Sequence, residues 1–195
     1  GWQVRNMGTI GANIANGSPI GDTPPLLIAL GARIVLRRGA ARREVALQDF
    51  FIDYGKQDRQ PDEFVEEIVI PTRPNARVAA YKISKRRDSD ITAVAAGFCL
   101  SVENDVITEA RIAFGGMAAI PKRAARAEAA LTGQPFAVES FEAAADAVAE
   151  DFQPLSDWRA SAEYRQAVAA NLFRRFWLEQ SEPDLPVRLN HAAGV

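Results

Sequence analysis

The sequence predicts an α+β fold, with strands in the first part of the chain and helices in the last. Three observations carry this. Ala93–Glu103 alternates, with Val94, Ala96, Phe98, Leu100 and Val102 on one side, the period-two pattern of a strand. Asn104–Asp105 then separates it from a second β-like run, Val106–Phe114, as a hairpin turn would. Ala162–Glu179 carries Tyr164, Val168, Leu172 and Phe176 at i, i+4 spacing, the apolar stripe of a core-facing helix. Strands followed by a run of helices indicate α+β rather than alternating α/β.

Taken in order, the chain opens with a segment rich in Gly, Asn, Ser and Pro from Asn6 to Pro25, which reads as a long loop. A short apolar stretch follows, Leu26–Leu30. Two β-like runs, Arg33–Leu36 and Arg43–Leu47, are joined by a turn at Arg38–Gly39. Phe64–Ile70 is a further strand, and Pro71 and Pro74 punctuate its end. Val78–Ile83 precedes the alternating strand. That strand's second side holds Ala93, Ala95, Gly97, Cys99 and Ser101, all small. Such a face lets another element, a helix by expectation, pack closely. Lys122–Leu131 is a helix ending at Gly133, a C-terminal capping residue. Phe141–Ala149 is an alanine-rich helix. Phe114 and Met117 read as packing residues, and Lys122, Arg123 and Arg126 as a solvated helix face. The expected division is 1–73, 74–180 and a tail, 181–195.

Composition narrows the functions. The chain has 195 residues, 48% hydrophobic and 25% charged, with a net charge of −2. That suits a globular core and gives no electrostatic reason to expect nucleic acid or an anionic membrane. No apolar run reaches the roughly 20 residues that span a bilayer. A single cysteine, Cys99, permits no internal disulfide and cannot alone supply the thiolates of an all-cysteine iron–sulfur cluster. It reads as a small buried residue, and its solitude fits the cytoplasm. The only histidine, His191, lies in the tail. A histidine zinc site or a serine–histidine triad in the main body is thereby excluded.

The strongest chemical signal is Asn6-Met7-Gly8-Thr9-Ile10-Gly11-Ala12-Asn13, continued by Ser18-Pro19-Ile20-Gly21-Asp22. Glycines allow backbone to approach a ligand, and free amides can cradle phosphate. Thr9, Asn13, Asn16 and Ser18 add short hydrogen-bonding side chains. Asp22 adds an acceptor for sugar hydroxyls or a ring N–H. The glycine spacing is not that of a Rossmann dinucleotide loop. Gly8-Thr9-Ile10-Gly11 matches the clamp of KH modules in form, without their paired helices and basic groove. On residue chemistry alone the segment is either a ligand-holding loop or a long structural one.

Four segments in order add a resemblance. Arg5–Asn13 with Ser18–Asp22, Phe50–Pro61, Tyr81–Ile91 and Phe114–Ala118 resemble segments of the flavin subunits of the xanthine dehydrogenase family. The family form has a second glycine where Ala12 stands. The resemblance implies the end of a PCMH-type FAD-binding domain, followed by a CO-dehydrogenase-flavoprotein-like C-terminal domain. It implies that Thr9, Ile10, Gly11, Ala12 and Asn13 form a turn contacting the FAD diphosphate and its neighbours. Asp22 would bond within the same site, and Val65 would lie against the isoalloxazine ring. Lys82 would sit at the flavin's edge, where a cation favours negative charge on the reduced ring. Ser84–Asp90 would form a loop beside the flavin.

Each of these has a plainer reading: Val65 as core, Lys82 as a solvated strand residue, and Ser84–Asp90 as a turn with local ion pairs. The resemblance further implies NAD as electron acceptor. The 2Fe–2S clusters and the molybdopterin cofactor would lie in partner domains or chains: a molybdenum-cofactor large subunit, and the iron–sulfur and front FAD segments of the small subunit. An earlier glycine-rich family segment that wraps the FAD pyrophosphate has no counterpart in this sequence. A separate small subunit is expected rather than one fused polypeptide. Two other readings stay open: a flavin-free structural or interaction fragment, and the flavin subunit of a related molybdenum hydroxylase such as carbon monoxide dehydrogenase.

Overall fold

A threonine and two prolines turn the opening segment into helices. The computed structural model describes residues 2–87 and 89–185. In it Trp2–Met7 (α1), Ile10–Ala15 (α2) and Thr23–Leu30 (α3) are helical, so the long loop expected from Asn6 to Pro25 is corrected. The Thr9 hydroxyl accepts a hydrogen bond from the Ala12 amide at 3.1 Å, which satisfies one of the free amides that open α2. Pro24 and Pro25 fall in the first turn of α3, where proline's fixed φ suits a helix and its missing N–H costs nothing. Leu26–Leu30 completes α3, which ends at Gly31 with φ +75°, the left-handed conformation glycine adopts freely.

The strands Arg33–Arg38 (β1) and Ala41–Ala46 (β2) form a hairpin, and Phe64–Val69 (β5) pairs with the other edge of β1. Between them lie a short helix, Leu47–Phe50 (α4), and a small ladder of Phe51–Asp53 (β3) with Lys56–Gln57 (β4). The inner sides of these elements bury Ile34, Leu36, Leu47 and Phe50 against Ile14, Leu27 and Ile28.

The second sheet has the antiparallel order Ala76–Ile83 (β6), Val94–Glu103 (β7), Val106–Gly115 (β8) and Lys122–Arg123 (β9). Asn104 and Asp105 both have positive φ, 48° and 60°, as the tight turn of a hairpin requires. Ala125–Leu131 (α5), Val138–Asp151 (α6) and Ala162–Ser181 (α7) cover one face. Phe98 is the centre of that core, stacked on Phe176 at 5.0 Å between ring centroids and edge-on to Phe173 at 5.2 Å. Phe114 and Met117 are fully buried there, as packing residues should be.

The small-residue side of β7 faces α3. A Cβ added at Gly97 would lie 2.6 Å from the Leu26 nitrogen and from the Pro25 carbonyl oxygen. Glycine is therefore what lets this helix lie on the strand. Cys99, on the same side, is buried, and burial pushes its thiol above the ordinary value. With both faces covered, β7 is buried from Val94 through Leu100.

Three further expectations change. The helix expected from Lys122 starts at Ala125, because Lys122 and Arg123 pair with Phe114 and Ala113 as β9. The basic residues are then not one solvated helix face. The Arg123 guanidinium forks onto Glu128 at 2.7 and 2.9 Å. Burial still pushes the Glu128 carboxyl up, against that partner. Lys122 donates to the Asp151 carbonyl, and Arg126 stays largely exposed. Tyr164 is half exposed at the start of α7, so the apolar stripe begins a turn later. The tail's His191 lies outside the described residues, as does Asp88.

Candidate functional site

Asp22 precedes α3, the position from which an aspartate ordinarily accepts an amide of the first turn. Here the residues that would offer those amides are Pro24 and Pro25, which have none. Asp22 accordingly makes no capping bond, and its carboxylate reaches the second sheet. Oδ2 takes the Lys82 ammonium at 2.6 Å, and Oδ1 accepts the Thr92 hydroxyl. Lys82 lies directly opposite Ala95. It therefore sits on the small-residue face of the sheet that α3 covers, beside the start of that helix. Lys82 is exposed, with 38% of its side chain accessible, and it is also ion-paired.

A second tie joins α2 to α3. Asn13 Oδ1 accepts both the Thr23 hydroxyl, at 2.6 Å, and the Thr23 amide, at 3.3 Å. Asn13, Asp22 and Lys82 thus converge on a cleft of about 260 Å³, with Asn16, Ser18, Asp90 and Thr92 as further walls. Asp90 closes the adjoining loop by accepting the Arg86 amide at 2.7 Å and the Ile91 amide at 3.0 Å. The Arg86 amide, then the Ile91 amide and the Arg86 guanidinium, hold Asp90 below the usual carboxylate range. Lys85 in that loop donates to the Trp158 carbonyl at 2.9 Å.

The other expected residues form a separate group. Thr9, Ile10 and Ala12 are exposed at the front of α2. Gly11 rests over Val65, with a built Cβ 3.9 Å from the Val65 carbonyl oxygen. Val65 is partly buried and packs against the first core. Thr9–Asn13 is a capped helix start rather than a turn. The Ala12 amide is taken by the Thr9 hydroxyl and the Asn13 amide by the Thr9 carbonyl, both at 3.1 Å. Thr92 was not singled out by sequence reasoning. The signal available was indirect: a carboxylate followed by two prolines cannot cap its own helix and must find donors elsewhere.

A larger cavity of about 570 Å³ lies beyond Ser18–Ile20, walled by Tyr54, Leu155, Arg159 and Arg165. Ser18 lines it as well as the smaller cleft, whereas none of the residues expected to contact FAD does. Among the described residues no group of three His, Cys, Asp or Glu could hold a metal.

Residues 1–73 match the FAD binding domain in molybdopterin dehydrogenase, and residues 79–180 match the CO dehydrogenase flavoprotein C-terminal domain. The chain belongs to the FAD-binding family of molybdopterin dehydrogenases. Family relatives include the xanthine dehydrogenase of Oryza sativa subsp. japonica, 34% identical over 91% of this chain and 14% of the relative. The nicotine 6-hydroxylase medium subunit of Paenarthrobacter nicotinovorans is 33% identical over 91% of this chain and 62% of its own length. Among solved structures, a carbon monoxide dehydrogenase of Hydrogenophaga pseudoflava superposes with a TM-score of 0.83 at 35% identity. It covers 89% of this chain and 60% of that one. The chain therefore spans about three fifths of the medium-subunit relatives.

The fold is the one expected, mixed helices and antiparallel sheet. The cleft's chemistry also fits the family's cofactor. Amide and hydroxyl groups on Asn13, Asn16 and Ser18 suit a heterocycle or polyol, and Lys82 suits the electron-rich edge of a reduced flavin.

Proposed function

We propose that this chain holds FAD in a molybdenum hydroxylase, with Asn13, Asp22 and Lys82 at the ring and Thr9–Ala12 toward the diphosphate. The observation that carries the proposal is the convergence of Asn13 and Asp22, near the front of the chain, with Lys82, 60 residues beyond Asp22, on one cleft. The bound FAD supplies electron relay between molybdenum and iron–sulfur centres of partner chains and an acceptor, NAD+. Lys82 provides the positive charge at the ring's edge, Asp22 holds Lys82 in place, and Val65 supports the front of α2. The partners are a molybdenum-cofactor large subunit and an iron–sulfur chain or segment, in the cytoplasm. No described helix is long and apolar enough to cross a membrane.

The finer reading is xanthine dehydrogenase, oxidising hypoxanthine and xanthine. The family likeness carries it, since the cleft described is not where the reducing substrate would react. A second reading, carbon monoxide dehydrogenase, is favoured by the solved structure at 35% identity. Purification of the native assembly tests both. Flavin absorbance at about 450 nm, co-purifying molybdenum and iron–sulfur chains, and NAD+ reduction with xanthine are expected. Turnover of carbon monoxide without xanthine would replace the first substrate with the second. A colourless single chain would reduce the protein to a structural fragment. In the assembled protein Asp22→Asn keeps an oxygen for Thr92 and removes the charge facing Lys82. It is expected to lower FAD content while the molybdenum chemistry persists, and normal FAD content would refute the assignment.

A further inference from the structure

We propose that Thr92 is a positioning residue: its buried hydroxyl fixes the Asp22 carboxylate so that the second carboxylate oxygen is delivered to Lys82. This deepens the flavin reading and depends on it only for what Lys82 then meets.

Three observations lead to it. First, Asp22 has been released from its own helix. A free carboxylate beside a helix start would fold back onto the first-turn amides, but Pro24 and Pro25 offer none. Its orientation must come from outside α3. Second, the two oxygens of Asp22 meet unlike partners. Oδ1 is held by Thr92, which is 1% exposed, whereas Oδ2 meets Lys82, whose side chain is 38% exposed. A lysine on a flexible stem cannot by itself orient a carboxylate. A buried β-branched side chain can, because its χ1 is restricted.

Third, Thr92 is anchored from behind. The Ala93 amide donates to the Ile83 carbonyl at 2.8 Å, tying this point to the end of β6 just past Lys82. The Ala93 carbonyl accepts from Arg165, which also donates to the Gly116 carbonyl at 3.0 Å and pairs with Asp157 at 2.9 Å. Gly116 in turn donates to the Pro19 carbonyl at 2.8 Å, in the segment that leads to Asp22. The hydroxyl therefore projects from a frame closed on several sides, and one bond transmits that frame to Asp22.

The test compares Thr92→Val, which keeps the branched shape without the donor, with Thr92→Ser, which keeps the donor. Thr92→Ala repeats the comparison should valine disturb folding. Crystal structures of the variants and FAD titration of the assembled protein, followed by flavin fluorescence, are the two readouts. Thr92→Val and Thr92→Ala should open the Asp22–Lys82 pair beyond about 4 Å, outside ion-pair range, and weaken FAD binding about tenfold. Thr92→Ser should restore both.

Persistence of the pair within about 3 Å in the variants without a hydroxyl would overturn the proposal. So would Thr92→Ser behaving like Thr92→Val. An opened pair with unchanged FAD affinity would leave the positioning role standing and refute the flavin reading of Lys82.

Discussion

Replacing Gly97 by alanine adds one methyl group where β7 meets α3, and the structure sets the size of the consequence. The new Cβ would lie 2.6 Å from the Leu26 nitrogen and the Pro25 oxygen, and closer still to the Leu26 Cα. Comfortable heavy-atom contact needs about 3.5–4.0 Å, so α3 or β7 must move by about 1 Å. Neither yields readily. The nearest neighbours of the new methyl are all backbone atoms, β7 is paired on both edges, and α3 is held at its far end by two arginines. Arg111 donates to the Ala29 and Ile28 carbonyls at 3.0 Å, and Arg73 to the Leu30 carbonyl at 3.1 Å.

Overpacking of this kind costs about 1–3 kcal/mol, occasionally more, and a rigid backbone clash belongs at about 3. At about 2–4 °C per kcal/mol for a chain of this size, thermal unfolding by circular dichroism should fall by about 6–12 °C. The displaced helix carries Asp22, so FAD affinity should fall with it. Gly39→Ala is the control. Nothing lies within 4 Å of its Cβ, and only its positive φ of 58° is penalised, at about 1–2 kcal/mol. That variant should leave FAD binding unchanged. A Gly97→Ala protein with the wild-type melting temperature would refute the argument that close approach, rather than chance, accounts for the small face of β7.

Two further outcomes are expected. Arg165→Met removes a 3% exposed guanidinium from the Ala93 and Gly116 carbonyls and from Asp157. Two carbonyls lose a donor and Asp157 loses an ion-pair partner, and stability in urea should fall by about 2–4 kcal/mol; no change would show that the clamp is dispensable. Glu66 is held down to about 2 by hydrogen bonds from Arg42 and then Arg37, and Glu63 to about 2 by Arg43 and the Gln60 amide. A depressed carboxylate contributes stability above its unfolded value of 4.5 and loses it as pH falls toward 2. Melting temperature should drop across that window, and Glu66→Gln should flatten the drop. An equally steep drop in the variant would place the acid sensitivity elsewhere.

The parts of the fold legible in the sequence are those with long periodic patterns. β7 shows period two over ten residues, and its small side signals the close approach of α3. The hairpin turn at Asn104–Asp105 and the Leu172–Phe176 side of α7 were equally plain. The opening segment reads as loop because α1 and α2 are six residues each, too short to display a helical period, and Gly8, Gly11 and Gly17, within and around α2, signal loops. Lys122–Arg123 read as helix because a two-residue strand has no pattern and only its pairing with Phe114 and Ala113 defines it.

Within the site, Asp22 and Lys82 were reached through resemblance, and the residues themselves left each open. Their meeting joins positions 60 apart in sequence, and the Thr92 contact joins positions 70 apart. No local pattern encodes such pairs. The Asp-Thr-Pro-Pro run does encode that the carboxylate is free of its own helix, and the fold supplies what it then reaches.

We propose that the cleft between α2, the start of α3 and the end of β6 holds the flavin ring. The most direct measurement is a structure of the native assembly with FAD bound, determined by crystallography or electron microscopy. The isoalloxazine ring is expected in that cleft, with Lys82 at its edge and the diphosphate toward Thr9–Ala12. A flavin seated elsewhere, with the Asp22–Lys82 pair facing only protein or solvent, would contradict it.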